Sequence, residues 1–259
     1  MKRFLFLLLL TSRAAMSQTA DSVATTSIPP KSNYKYSLIS SISYAMVAVS
    51  TPNLRSYFRA NQIKPSFGLS EFVHWNVGFR YERFKLMSQS GRGASLISSE
   101  SRDYERRVAR QNHADYVGYM LGYDVLNERN RRLYANIGLG TVTYEYSVYR
   151  RTVQPVDFQD LTQYNQPGNI PSLKLTNTYV DFNLEYVQRE KRKQSAEATV
   201  RLGYRRGLRS RAWESDAFRL QGAPTDRINQ FYLQIGYNFS LNFDKGANLF
   251  SPFRRIENQ

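Results

Sequence analysis

Residues 230–243 read QFYLQIGYNFSLNF. Phe231, Leu233, Ile235, Tyr237, Phe239, Leu241 and Phe243 occupy alternate positions. Tyr232, Gln234, Gly236, Asn238, Ser240 and Asn242 occupy the others. Successive side chains of a strand point to opposite faces, so this stretch is a strand with one apolar and one mostly polar face. Its period of two excludes a helix, whose apolar residues recur every three or four positions.

The same alternation recurs upstream. Segments 36–48, 62–70, 73–82, 115–126, 133–146, 176–187 and 196–205 each carry an apolar face opposed by Ser, Asn, Gly or charged residues. With 230–243 this makes eight strands. Phe84 and Leu86 fall out of step with Tyr81, and Val142, Tyr144 and Tyr146 with Leu139. A β-bulge, or a strand rising beyond a membrane, accounts for such a slip. Short connectors are expected near 71–73, 127–132 and 188–195. Long ones are expected near 49–61, 84–114, 147–175 and 206–229. An even strand count with alternating short turns and long loops is the rhythm of an outer-membrane β-barrel. The expected fold is therefore all-β: an eight-stranded antiparallel transmembrane barrel over 34–243.

Alternation alone also fits a soluble lipocalin-like barrel, with its apolar face inward. The glycines separate the two. Gly68, Gly78, Gly118, Gly122, Gly138, Gly140, Gly203 and Gly236 all fall on the polar face. Glycine weakens a strand unless neighbours crowd that position, and a narrow polar lumen is such a place. The polar face is thus read as the interior. It holds Arg80, Arg201 and Arg205 with Glu82, Asp124, Asp181, Glu185 and Glu197. Buried ions need partners, so a charge network filling the lumen is expected. A narrow ion or proton path is the alternative.

The N-terminus, MKRFLFLLLLTSRAAMS, has basic Lys2 and Arg3, an apolar run Phe4–Leu10 and small residues at Ala15 and Ser17. That is the layout of a secretory signal peptide over 1–17. Residues 18–33 are read as a flexible leader and 244–259 as a C-terminal tail, either disordered or in contact with a periplasmic partner. With both termini periplasmic, the long loops face outward from the cell.

The 259 residues carry 36 Lys and Arg against 21 Asp and Glu, a formal charge of +15. Export makes nucleic acid an improbable partner. Arg92, Arg102, Arg106, Arg107 and Arg110 cluster around one long loop and suit lipopolysaccharide phosphates or an acidic surface ligand, because the guanidinium fork binds phosphate bidentately. A solvated charge cluster is the plainer reading. Arg129, Arg131, Arg132, Arg189, Lys191, Arg192 and Lys193 crowd the short turns. The aromatics Tyr57, Phe58, Tyr164, Trp213 and Phe218 are expected in loops, for adhesion or packing. There is no cysteine, which excludes disulfides, thiolate metal sites and a lipoprotein anchor. Only His74 and His113 are present, so neither a cofactor nor a metal is expected. His74 is expected inside, near a short turn. His113, with Ser98, Ser99, Ser101 and Asp103 in the preceding loop, is the one candidate for a lipid-A-modifying enzyme.

The signal sequence, the eight segments and the terminal FYLQIGYNFSLNF together resemble the small outer-membrane β-barrel proteins of Bacteroidota, the PorT-like group. The resemblance implies a barrel that is monomeric in the membrane and located in the outer membrane of a Gram-negative bacterium. Its roles in that group range from protein secretion to adhesion. It supplies no catalytic motif. The chain departs from it at the end, since Phe243 is followed by sixteen further residues. The functional expectation is a non-enzymatic barrel whose basic loops bind lipopolysaccharide, a surface ligand or a partner. A part in a secretion or envelope-assembly machine, through turns and tail, is the alternative.

Overall fold

A computed structural model describes residues 34–65, 68–96, 107–128, 131–150, 157–159, 169–188, 193–217 and 219–243. The signal peptide, the leader, the tail, and Ser98, Ser99, Arg102, Asp103, Arg106, Arg129, Tyr164, Arg189 and Phe218 lie outside them, as do Ser101, Lys191 and Arg192.

Eight strands close into an antiparallel barrel: β1 (Tyr36–Ser50), β2 (Leu69–Tyr81), β3 (Phe84–Ser95), β4 (Val108–Asp124), β5 (Arg131–Tyr149), β6 (Ile170–Gln188), β7 (Gln194–Gly207) and, after a short pair β8 (Arg211–Ala212) and β9 (Thr225–Asp226), β10 (Asn229–Phe243). The opening stretch is the closing strand. β10 pairs with β7 on one side and with β1 on the other, from Tyr36↔Phe243 to Ser50↔Asn229. The barrel therefore has no free edge.

The count of eight survives two compensating corrections. The segment 62–70 is not a strand. The connector before β2 instead carries helix α1 (Pro52–Ala60), which buries Leu54 and Phe58 one turn apart, and Ile63 turns into the same apolar cluster. Residues 71–73 are no turn but lie within β2. Conversely, 84–114 is not one loop, because β3 and the start of β4 lie within it. Phe84 and Leu86 are in step with their own strand. Glu82, at φ 50°, helps turn the chain between β2 and β3, so Tyr81 and Phe84 both face outward.

Burial is inverted relative to a water-soluble barrel. Trp75, Tyr119, Leu202 and Phe231 each expose more than 60 % of their surface, whereas Asp124, Asp181 and Arg205 expose none. An apolar belt running round the wall is unfavourable in water at roughly 25 cal/mol per Å². A bilayer is the solvent that suits it. The wall is that of an outer-membrane-type transmembrane barrel.

The inversion stops partway along β4, β5 and β6. Beyond Leu139 the outward positions of β5 become Thr141, Thr143, Glu145 and Ser147, while the inward ones become Val142, Tyr144, Tyr146 and Val148, all buried. β6 does the same with Thr178, Thr176 and Lys174 outside and Leu175 and Leu173 inside. The expected slip at Val142 is therefore a change of solvent, not of parity. The strands rise out of the belt and carry an ordinary apolar core, joined by Leu54, Phe58, Phe72 and Trp213. Among the described residues, register shifts occur only in this upper part, at Gln111/His113 and Tyr146/Val148.

Candidate functional site

The lumen within the belt is filled by ion pairs. Glu185 of β6 accepts hydrogen bonds from Lys85 Nζ at 2.6 Å, from Arg201 Nη2 at 2.7 Å and Nε at 3.1 Å, and from Asn136 Nδ2 at 3.3 Å. Four elements thus meet on one carboxylate. Asp181, on the same inward face, accepts from Arg205 Nε at 3.2 Å and from the Tyr232 hydroxyl at 2.9 Å. The Arg205 guanidinium lies 4.0 Å from the Tyr116 ring centroid and 4.4 Å from that of Tyr232. Asp124, at the short-turn end, accepts from Arg132 at 3.2 Å and from the backbone N–H of Asn127. Arg80 donates to Ser37 and, at 3.2 Å, to Asn242. Glu197 accepts from the Ser240 hydroxyl at 2.9 Å.

Two members of this interior were not in the expected set. Lys85 was hidden because β3 went unread. Arg132, expected in a short turn, lies in β5 and is buried. One expected member does not belong. Glu82 is a turn residue, half-exposed, and pairs with Lys35 at 2.9 Å. β2 ends one residue before it, so its side chain has no lumen to enter.

Glycine makes the room these groups need. Gly118 and Gly140 face each other across β4 and β5. A Cβ on either would stand 2.7–2.8 Å from the Tyr179 hydroxyl, so the glycine pair is what admits that ring. Gly68, by contrast, lies outside any strand.

Above the lumen sits a cap built from α1, the 208–228 connector and the tops of β4 to β6. Asp226 fastens it. Its carboxylate, buried, accepts from the backbone N–H groups of Asn53 at 2.9 Å and Leu54 at 2.8 Å, and from the Trp213 indole at 2.9 Å. The first residue of α1 is proline, and its N-cap Thr51 makes no side-chain cap. The capping acceptor therefore comes from a carboxylate 172 residues later in the chain. Phe58 and Trp213 are core residues of the cap rather than surface aromatics, while Tyr57 is exposed.

The remaining candidates separate. Arg92 is not in a loop; it stands on the outward face of β3 and pairs with Asp115 at 3.2 Å. Arg110 lies outward on β4 and Arg107 just before it, both exposed. His74 is buried midway along β2, against Tyr116, and not beside a turn. His113 Nε2 lies 3.4 Å from Asp115 and 3.5 Å from Glu145. The described serine of that region, Ser147, donates to Asn112 instead. No described nucleophile is bonded to His113, and no group of three or more acidic or histidine side chains among the described residues is placed to hold a metal.

No family model matches the chain. No curated protein matches it. Among solved structures, the chain is similar to Neisserial surface protein A, at 10 % identity and a TM-score of 0.42 over 81 % of this chain and 97 % of that one. It is also similar to a major outer membrane protein from Thermus thermophilus, at 8 % identity and a TM-score of 0.45 over 78 % and 99 %. A third is Ail, the attachment invasion locus protein of Yersinia pestis, at 13 % identity and a TM-score of 0.38 over 80 % and 99 %. At such scores the architecture rests on this chain's own strand pairing and burial.

Proposed function

We propose that this chain is a non-enzymatic outer-membrane barrel, exported with a cleaved signal peptide, whose cap binds the phosphates of lipopolysaccharide at the cell surface. The observation that carries the reading is the charge of the cap. At the end of the barrel opposite Tyr36 and Phe243, Arg59, Arg107, Arg110, Arg150, Arg206, Arg209, Arg211 and Arg219 are all exposed, against exposed Asp157, Glu214 and Asp216. Arginine forks bind phosphate bidentately, and a rigid base spares part of the ordering cost of binding. Asp226 and the apolar core beneath supply that rigidity. The lumen below is occupied by paired charge, which favours a platform over a passage.

Two measurements test it. Outer-membrane fractions run boiled and unboiled should give a band that migrates faster unboiled. Purified barrel should bind lipopolysaccharide with an affinity that falls steeply with salt, and the triple variant R59E/R209E/R211E should lose at least tenfold. Binding equal in wild type and triple variant would reject the reading.

A further inference from the structure

The outward positions of the wall are mostly large apolar side chains, with small ones at Ser40, Ser88 and Ser90 and at Ala135, Ala196 and Ala198 among others. Around Ser40 and Ser90 lies a groove of about 690 Å³ on the outside of the barrel, walled by Ile42, Val73, Trp75 and Phe239. A second hollow of about 660 Å³ adjoins it, sharing Ser40 and Phe239, and runs on toward the short-turn end past Leu38, Val77 and Leu241.

Its floor is less polar than its serines suggest. The Ser90 hydroxyl donates to the Trp75 carbonyl at 3.0 Å, and Ser40 accepts from the Trp75 indole at 3.3 Å. Both hydroxyl oxygens are thus hydrogen-bonded within the wall. At the outer end stand two charged residues, Arg92 and Asp115. Their pair runs through Nε at 3.2 Å, and the Arg92 side chain stays 77 % exposed. Asp115 also lies 3.4 Å from His113 Nε2. Glu71, the next outward residue of β2 above Val73, accepts from Tyr44 at 2.9 Å.

A long apolar trough ending at one exposed guanidinium matches an amphiphile with an acyl chain and a phosphate. We infer that this groove is a wall site for lipid A, taking one acyl chain over Ser40 and Ser90 and one phosphate at Arg92. It rests on the outer-membrane placement above, because only the outer leaflet puts lipid A at this end of the wall. It is separate from the cap, whose arginines lie beyond the belt.

The test uses the full-length mature barrel in nanodiscs containing either lipid A or phosphatidylglycerol, followed by detergent exchange and native mass spectrometry. Wild type is expected to retain one lipid A, with at least tenfold less phosphatidylglycerol. Ser90→Phe fills the trough with a side chain suited to the lipid face, and Arg92→Gln removes the phosphate partner. Each should reduce retained lipid A about tenfold, with the unboiled gel shift confirming that the barrel is folded. In the R59E/R209E/R211E background, where the cap no longer contributes, a lipid A should still be retained and should be lost on adding R92Q, which separates the wall site from the cap. Equal retention of phosphatidylglycerol, or undiminished lipid A in both S90F and R92Q, overturns the inference.

Discussion

Removing the Asp226 carboxylate should free the cap while leaving the barrel closed. Three donors converge on that buried group: the Asn53 and Leu54 amides and the Trp213 indole, all at 2.8–2.9 Å. In Asp226→Ala the helix loses its capping acceptor, worth about 0.5–2 kcal/mol. A buried indole N–H is also left without a partner, at about 1–3 kcal/mol. The strand ladder is untouched, so the loss falls on local opening of the cap, about 1.5–5 kcal/mol in all. That raises the open population by roughly 10- to 4000-fold, at tenfold per 1.4 kcal/mol. The chain has only two tryptophans, Trp75 on the lipid face and Trp213 in the cap. In a Trp75→Phe background, emission therefore reports the cap alone. Asp226→Ala should shift that emission to the red and raise acrylamide quenching, while the unboiled gel shift persists at the same temperature. Unchanged emission and quenching would refute the latch. Loss of the gel shift would show instead that cap and barrel form one cooperative unit.

Other consequences are equally direct. Glu185→Gln leaves Lys85 and Arg201 as buried cations without that anion, and should lower barrel stability by about 3–5 kcal/mol in urea titration. Glu82→Gln, in an exposed pair, should cost about 0–1 kcal/mol. A Cβ on Gly122 would run into the Asn136 amide oxygen, so Gly122→Ala should destabilise by about 1–3 kcal/mol, with Asn136→Ser restoring part of the loss. In hydrogen exchange, amides of 141–146 should be protected like those inside the belt, because they pair with both β4 and β6; rapid exchange there would contradict the extended barrel. In planar bilayers the wild type should show no stable single-channel conductance, and a regular open state would argue against a filled lumen.

The architecture was legible where one face of a strand meets lipid and the other a polar lumen. β10 and the lower halves of β4, β5 and β6 satisfy both conditions, and they read cleanly. β3 satisfies them only at its start, where Phe84 and Leu86 face outward around the buried Lys85. Beyond Leu86 its outward face carries Ser88, Ser90 and Arg92 and its inward face Met87 and Gln89, so the alternation is lost. Ser90, one of the serines that hide the strand, also lines the groove on the wall. The false strand at 62–70 arose because Ile63 and Leu69 share a parity, although Ile63 serves the cap core and Leu69 begins β2. Glu82 was drawn inside by carrying parity one residue past the end of β2. Arg132 illustrates the converse, since a run of basic residues at a turn gives no sign that one of them folds back to Asp124. The Asp226 latch was beyond reach, because nothing in the chain near 226 announces a helix at 52.

The barrel meets two solvents along its length, and this explains why one parity carries two chemistries. Inside the belt, an outward residue must be apolar and an inward one polar, since lipid surrounds the wall and ions pair within. Above it, β4 to β6 keep their hydrogen-bond register, so their side chains still point the same ways. The environment has changed, and the composition of each face changes with it: Thr143 and Glu145 outside, Tyr144 and Tyr146 inside. The apolar interior of this upper part then offers a surface on which α1 and the 208–228 connector fold, through Leu54, Phe58 and Trp213. Without it, the charged connectors would have little to bury. The core above the belt is thus what lets a membrane barrel carry an ordered, basic surface into water.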